Sequence, residues 1–184
     1  MSDAGETGLS RAGLKSAPAA IHGGSGLRWL VISAVVIALD QLVKSWVAAL
    51  PPYVPHHILP VLDITLMYNT GAAFSFLSDA SGWQRWAFTG LALLVSIAIV
   101  IWMYRLRAGT HRLLACSLAF IVGGALGNMI DRLRIGHVID FVSLHWNNHW
   151  FAAFNVADSA ITVGAALLLL DALWESRGAK GRAA

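Results

Sequence analysis

The stretch WAFTGLALLVSIAIVIWMY, residues 86–104, contains no charged side chain, and it decides which solvent this chain folds in. A helix over these residues is about 28 Å long, close to the roughly 30 Å hydrocarbon layer of a bilayer. Three more stretches read the same way: Leu27–Leu50, carrying Asp40 and Lys44 and stopped by Pro51-Pro52; Leu113–Ile130, free of charge; and Phe151–Leu170, carrying Asp158 alone. Proline cannot continue a helix, so the first run ends at that pair. Composition agrees. Of 184 residues 57% are hydrophobic and 12% charged, against roughly 25% charged in soluble domains. The polar surface is too small to wrap a water-soluble core.

The fold expected is a mainly α membrane protein, a four-transmembrane-helix bundle with a small extracytoplasmic β-sheet or hairpin. Residues 1–26, rich in Gly, Ala and Ser, form a disordered tail, since they cannot bury enough surface to offset chain entropy. Residues 27–174 form a single four-span domain, with spans at about 27–50, 86–104, 113–130 and 151–170, and 175–184 form a second tail. An alternative for the first stretch, the core of a cleaved signal peptide, fits poorly: the run is long, holds an Asp and a Lys, and follows a long tail. Arg11, Lys15 and Arg28 precede the first span, Arg105, Arg107 and Arg112 join the second to the third, and Arg177, Lys180 and Arg182 follow the fourth. These are nine of the 13 basic residues. The positive-inside bias puts both termini in the cytoplasm and turns the connections 51–85 and 131–150 outward. In the first connection, Val61–Tyr68, then Asn69-Thr70-Gly71, then Ala72–Leu77 read as a hairpin or small sheet; in the second, Gly136–Leu144 is β-prone around Asp140.

That topology brings polar residues to one depth. Asp40 and Lys44 lie in the outer half of the first span, Asn128, Asp131 and Arg132 end the third, Asn155 and Asp158 open the fourth, and Asp140 feeds into it. Asp158 is expected some seven residues inside its helix, roughly 10 Å below the outer end. A carboxylate in hydrocarbon costs at least ~2.5 kcal/mol, so each must face protein or water. Structural readings compete with functional ones. Asp40 and Lys44, four apart, can neutralise each other; Asp131 and Arg132 can anchor a helix end; Gly123 and Gly127 form a small-xxx-small pattern for helix packing. Asp158 has no basic residue within a helical turn. Two carboxylates brought close cannot both ionise easily, so one keeps a proton while the other acts as a base.

The remaining chemistry is thin. No H-E-x-x-H or G-x-S-x-G motif is present. The lone Cys116 excludes an intramolecular disulfide or a multi-cysteine metal cluster. His145 and His149 have helical ligand spacing but sit in a Trp/Asn-rich loop with no carboxylate beside them, and His56-His57 reads as an isolated exposed pair, so no metal is expected. The net charge of +3 comes largely from residues flanking the spans, without the basic and aromatic stripe that tracks nucleic acid.

Five blocks, DQLVK at Asp40–Lys44, YNTGAAFSF at Tyr68–Phe76, GGALGNMIDR at Gly123–Arg132, VIDF at Val138–Phe141 and FNVADSAI at Phe154–Ile161, follow one another in an order that resembles the lipoprotein signal peptidases (signal peptidase II). These are four-span aspartyl proteases of bacterial inner membranes. The resemblance covers Leu27–Trp174. It implies a catalytic dyad of Asp140 and Asp158, with Asp40, Lys44, Asn69, Gly71, Asn128, Asp131, Arg132 and Asn155 binding substrate or supporting the site. Asn155 and Arg132 are expected to hydrogen-bond the aspartates or substrate oxygens, and Tyr68–Phe76 to lie on the membrane as a lid. It also implies the substrate, a prolipoprotein cut just before a cysteine carrying diacylglycerol, with membrane lipid as the other partner, no cofactor, no nucleic acid, a monomeric state, and a site facing the periplasm. The competing class is a small proton-coupled transporter, which would also hold Asp40, Lys44, Asp131 and Asp158 in its spans but needs access from both sides.

Overall fold

A computed structural model describes residues 26–71, 82–106, 111–147 and 149–182. A 3₁₀ turn at Leu27–Trp29 leads into α1 (Leu30–Val47). Strands β1 (His56–Leu59) and β2 (Leu62–Asn69) follow, then α2 (Trp83–Arg105), α3 (Arg112–Ile135), β3 (Val138–Trp146), β4 (His149–Trp150) and α4 (Val156–Arg182). Four helical segments, Leu27–Val47, Trp83–Arg105, Arg112–Ile135 and Val156–Ser176, are long and apolar enough to cross a membrane.

Each helix sorts its residues by what they meet. Along α1, Ser33, Val36, Asp40, Lys44 and Val47 are buried, while Val31, Val35, Leu39, Leu42 and Trp46 are exposed. Both sets recur every three or four residues, so one stripe faces protein and the other lipid. The third span is 56% buried, against 17–28% for the others, which makes α3 the central helix. Its glycines allow that position. A Cβ on Gly123 would stand 2.9 Å from the Val36 Cβ, and one on Gly127 2.9 Å from an Asp40 carboxylate oxygen, so the small-xxx-small pattern is where α1 and α3 meet. At the end away from the sheet Ile99, Met103, Leu106, Leu114, Ala115, Leu118, Ala119 and Val122 form an apolar core; at the sheet end Val47, Leu66, Ile139 and Phe141 join α1 to the sheet.

The four strands form one sheet in the order β1-β2-β3-β4, each pair antiparallel. The hairpin partner expected for β2, Ala72–Leu77, lies outside the described residues, and the partners of β2 are β1 and β3. The tail at 1–25 likewise lies outside the described residues. Exposed aromatics gather at two levels, Trp46, Trp83, Trp86, Trp146, Trp150 and Phe151 at the sheet end and Trp102, Tyr104 and Trp174 at the other. Such belts mark the two membrane–water interfaces.

The ends of α3 and α4 differ from expectation. Helix α3 runs past 130 to Ile135, where Gly136 with φ +88° ends it in the left-handed conformation. Helix α4 starts at Val156, not 151, and continues past 175 to Arg182. The sheet holds back its start: Phe151 N–H donates to Leu144 O at 2.9 Å, and Phe154 exchanges hydrogen bonds with Val142 at 2.9 and 3.1 Å. Backbone committed to β3 cannot enter a helix until Asn155. Asp158 therefore stands in the first turn of α4, at the level of the sheet and not a further turn below it.

Candidate active site

The start of α4 organises the site. Asn155 caps the helix: its side-chain oxygen accepts the Asp158 N–H at 2.8 Å, while Asp158 accepts the Asn155 N–H at 3.3 Å. This reciprocal arrangement satisfies two donors that a helix start leaves free. It also supplies the local structural role for Asp158 that a search for basic neighbours overlooks. The Asn155 amide nitrogen faces the other way and donates to Asp140 at 2.7 Å, to Asn128 at 3.1 Å and to the Ile139 carbonyl at 3.1 Å. Asn128 from α3 donates to Asp158 at 2.7 Å. One asparagine thus holds both carboxylates, and a second braces it from the central helix.

Asp140 reaches this cluster because β3 pairs with β2, with Met67 opposite it. Asn69, at the end of β2, donates to its second oxygen at 2.8 Å, and Asn69 accepts the Gly71 N–H at 2.8 Å. Gly71 has φ +93°, and a Cβ there would meet the Phe88 ring at 2.6 Å, so glycine is required on both counts. Burial pushes the Asp140 carboxyl up to about 6; hydrogen bonds from Asn69 and Asn155 and the charge of Lys44 oppose the rise, and the charge of Asp158 adds to it. A carboxyl raised this far exchanges its proton near neutral pH.

Beneath the two carboxylates lies a buried ionic network. Lys44 donates to Asp40 at 2.8 Å, Asp131 at 2.7 Å and Asn128 at 2.9 Å, which uses all three of its protons. Asp40 also accepts the Ala157 N–H at 2.9 Å, and Asp131 the Ile139 N–H at 3.2 Å. The network therefore ties α1, α3, β3 and α4 together. Gln41, which sequence reasoning passed over, donates to Asp131 at 2.9 Å and to Asp40 and the Gly127 carbonyl at 3.3 Å. Its signal was a polar side chain inside an apolar span, next to Asp40. Arg132 is the outlier. Its guanidinium lies over Phe88 at 5.3 Å and reaches the Asn128 carbonyl at 3.4 Å, with Nε buried and unpartnered. Of the two contacts expected for it, to the aspartates or to substrate oxygens, no hydrogen bond to Asp140 or Asp158 is formed among the described residues.

A second cluster corrects the reading of the histidines. Because β2 lies between β1 and β3, Asp63 is set against His57 at 2.7 Å and His145 at 3.5 Å. Neither histidine lacks a carboxylate neighbour, and His57 is not isolated.

A family described as Signal peptidase (SPase) II matches residues 32–174. A lipoprotein signal peptidase of Pseudomonas aeruginosa is 54% identical over 79% of this chain and 87% of its own; one from Paraburkholderia phymatum is 51% identical over 86% and 95%. A bacterial membrane enzyme determined by the in meso method superposes with a TM-score of 0.70 at 28% identity, covering 81% of this chain and 89% of that one.

Proposed function

The chain belongs to the signal peptidase II family, and from that premise we propose that it removes signal peptides from diacylglyceryl-modified prolipoproteins, cutting just before the lipidated cysteine with Asp140 and Asp158 as its catalytic pair. The observation that carries the reading is the double hold of Asn155, which bonds both carboxylates at the start of α4. One member of the pair deprotonates a water that adds to the scissile carbonyl carbon. The other, protonated, donates to the carbonyl oxygen and then delivers its proton to the leaving amine as the C–N bond breaks. The pair titrates as a unit. Asp40, Lys44, Gln41 and Asp131 hold the helices that present it, Asn69 and Gly71 fix Asp140 from the sheet, and the half-buried Arg132 guanidinium serves a substrate oxygen.

The site lies at one aromatic belt, where acyl chains would hold the bond next to the lipidated cysteine. Position thereby selects the bond. The basic residues around the opposite ends support a reading in which the termini are cytoplasmic and the site faces the periplasm of a bacterial inner membrane, with one chain acting as a monomer. A proton-coupled transporter is not supported: the relatives are peptidases, and the buried charged side chains among the described residues, Asp40, Lys44, Asp63, Asp131 and Asp140, all belong to the outer end. Purified protein with a lipidated precursor, read by gel shift, tests the proposal. Asp140→Asn and Asp158→Asn should each abolish conversion while leaving folded protein; turnover retained in either removes that residue from the mechanism.

A further inference from the structure

We propose that His57, Asp63 and His145 form a binding site for a divalent transition-metal ion of the zinc type, separate from the carboxylate pair and located across β1, β2 and β3. Their ligand atoms lie within 4.8 Å of one another. Ligand atoms each about 2 Å from one tetrahedral ion are about 3.3 Å apart, so the widest separation has to close by about 1.5 Å. The exposed His57 ring has the freedom to supply that movement. The donor set, two imidazole nitrogens and one carboxylate oxygen, is one that zinc accepts with a position left over for water.

The polar atoms themselves point to a missing positive charge. Asp63 has no solvent exposure at all, and its Oδ2 is buried without a hydrogen-bond partner. The His145 Nε2 opposite is also buried and unpartnered, 3.5 Å away. A buried carboxylate oxygen and a buried imidazole nitrogen 3.5 Å apart with no hydrogen bond to either leave both under-satisfied, and a cation between them satisfies both. The His145 ring is held for the purpose by Trp150, 4.7 Å away and tilted by 31°. An open hollow of about 320 Å³, lined by His57, Ile58, Leu59, Pro60 and His145, leads to the site and leaves room for the water. Bound there, the ion would pin three strands together at the part of the sheet away from Asp140.

Full-length protein without a polyhistidine tag, stripped with chelator in detergent micelles, would be titrated with Zn²⁺ by calorimetry and with Co²⁺ by visible absorption. A single site per chain with the absorption of four-coordinate Co²⁺ is expected. His57→Ala and His145→Ala should each weaken binding at least about a hundredfold, beyond what loss of an outer-shell partner does, and His149→Ala should leave it unchanged. Zn²⁺ should also raise the unfolding temperature of the wild type and of His149→Ala and not that of His57→Ala, each compared with its own metal-free form. No binding by the wild type, or wild-type affinity retained in His57→Ala or in His145→Ala, overturns the proposal.

Discussion

Replacing Asn155 by alanine separates what this residue does for the fold from what it does for Asp140. Loss of the helix cap costs about 1 kcal/mol. The buried Asp140 oxygen, 2.7 Å from the Asn155 amide, loses a charge-assisted hydrogen bond of about 1.5–3 kcal/mol. The sum, about 3 kcal/mol, should be visible in denaturant unfolding of the detergent-solubilised protein. The second loss also acts on protonation. The Asn155 bond stabilises the ionised form, so its removal raises the Asp140 pKa from about 6 by about one to two units. If the working pair carries one proton, activity falls as pH rises and that proton leaves. The alkaline limb of kcat/KM should therefore move to higher pH in Asn155→Ala. Asn155→Ser keeps a capping oxygen but is too short to reach Asp140, so it should recover about 1 kcal/mol of stability and keep the shifted limb. Wild-type unfolding together with an unmoved limb in Asn155→Ala would refute the double role.

In the wild type, bound substrate should desolvate Asp140 further, so the alkaline limb of kcat should lie above that of kcat/KM, since the two report the complex and the free enzyme; coincident limbs count against this. Lys44→Met leaves Asp40 and Asp131 buried without a cation, a loss of about 3–5 kcal/mol, and should collapse the yield of monodisperse protein, with partial recovery in the double variant carrying Asp131→Asn. Gly127→Ala places a Cβ 2.9 Å from the Asp40 carboxylate and 3.3 Å from Ala157; a destabilisation of about 1–3 kcal/mol is expected from overpacking, measured by thermal unfolding. Arg132→Ala should raise KM and leave kcat close to wild type, because Arg132 touches neither aspartate; unchanged kinetics would argue against a substrate contact.

The spans were legible because a charge-free run such as residues 86–104 has one stable solvent. Convergence of Asp40, Asn128, Asp131, Asn155 and Asp158 was legible as well, since alternating helix directions put them at one level. The start of α4 was not. Phe151-Ala152-Ala153-Phe154 is as apolar as a span, and only the hydrogen bonds of Phe151 and Phe154 to β3 reveal that it belongs to the sheet. The histidine cluster was hidden for a related reason: Asp63 reaches His145 through strand order, and sequence separation carries no record of which strand lies in the middle. Arg132 illustrates a third limit, since placing a residue on the correct helix end does not say which way a long flexible side chain turns.

The two rings of exposed tryptophan and tyrosine fix how far the protein rides up or down in its bilayer, and they do so at a set vertical separation. The proposed cleavage site, at the level of one of those rings, is then a ruler with its zero at the headgroups, whereas the bond it must meet is carried by acyl chains whose depth follows the lipid. Shortening or lengthening the acyl chains of reconstituted vesicles shifts one scale against the other. Turnover should therefore peak at one membrane thickness, making the surrounding lipid a determinant of specificity alongside the peptide sequence.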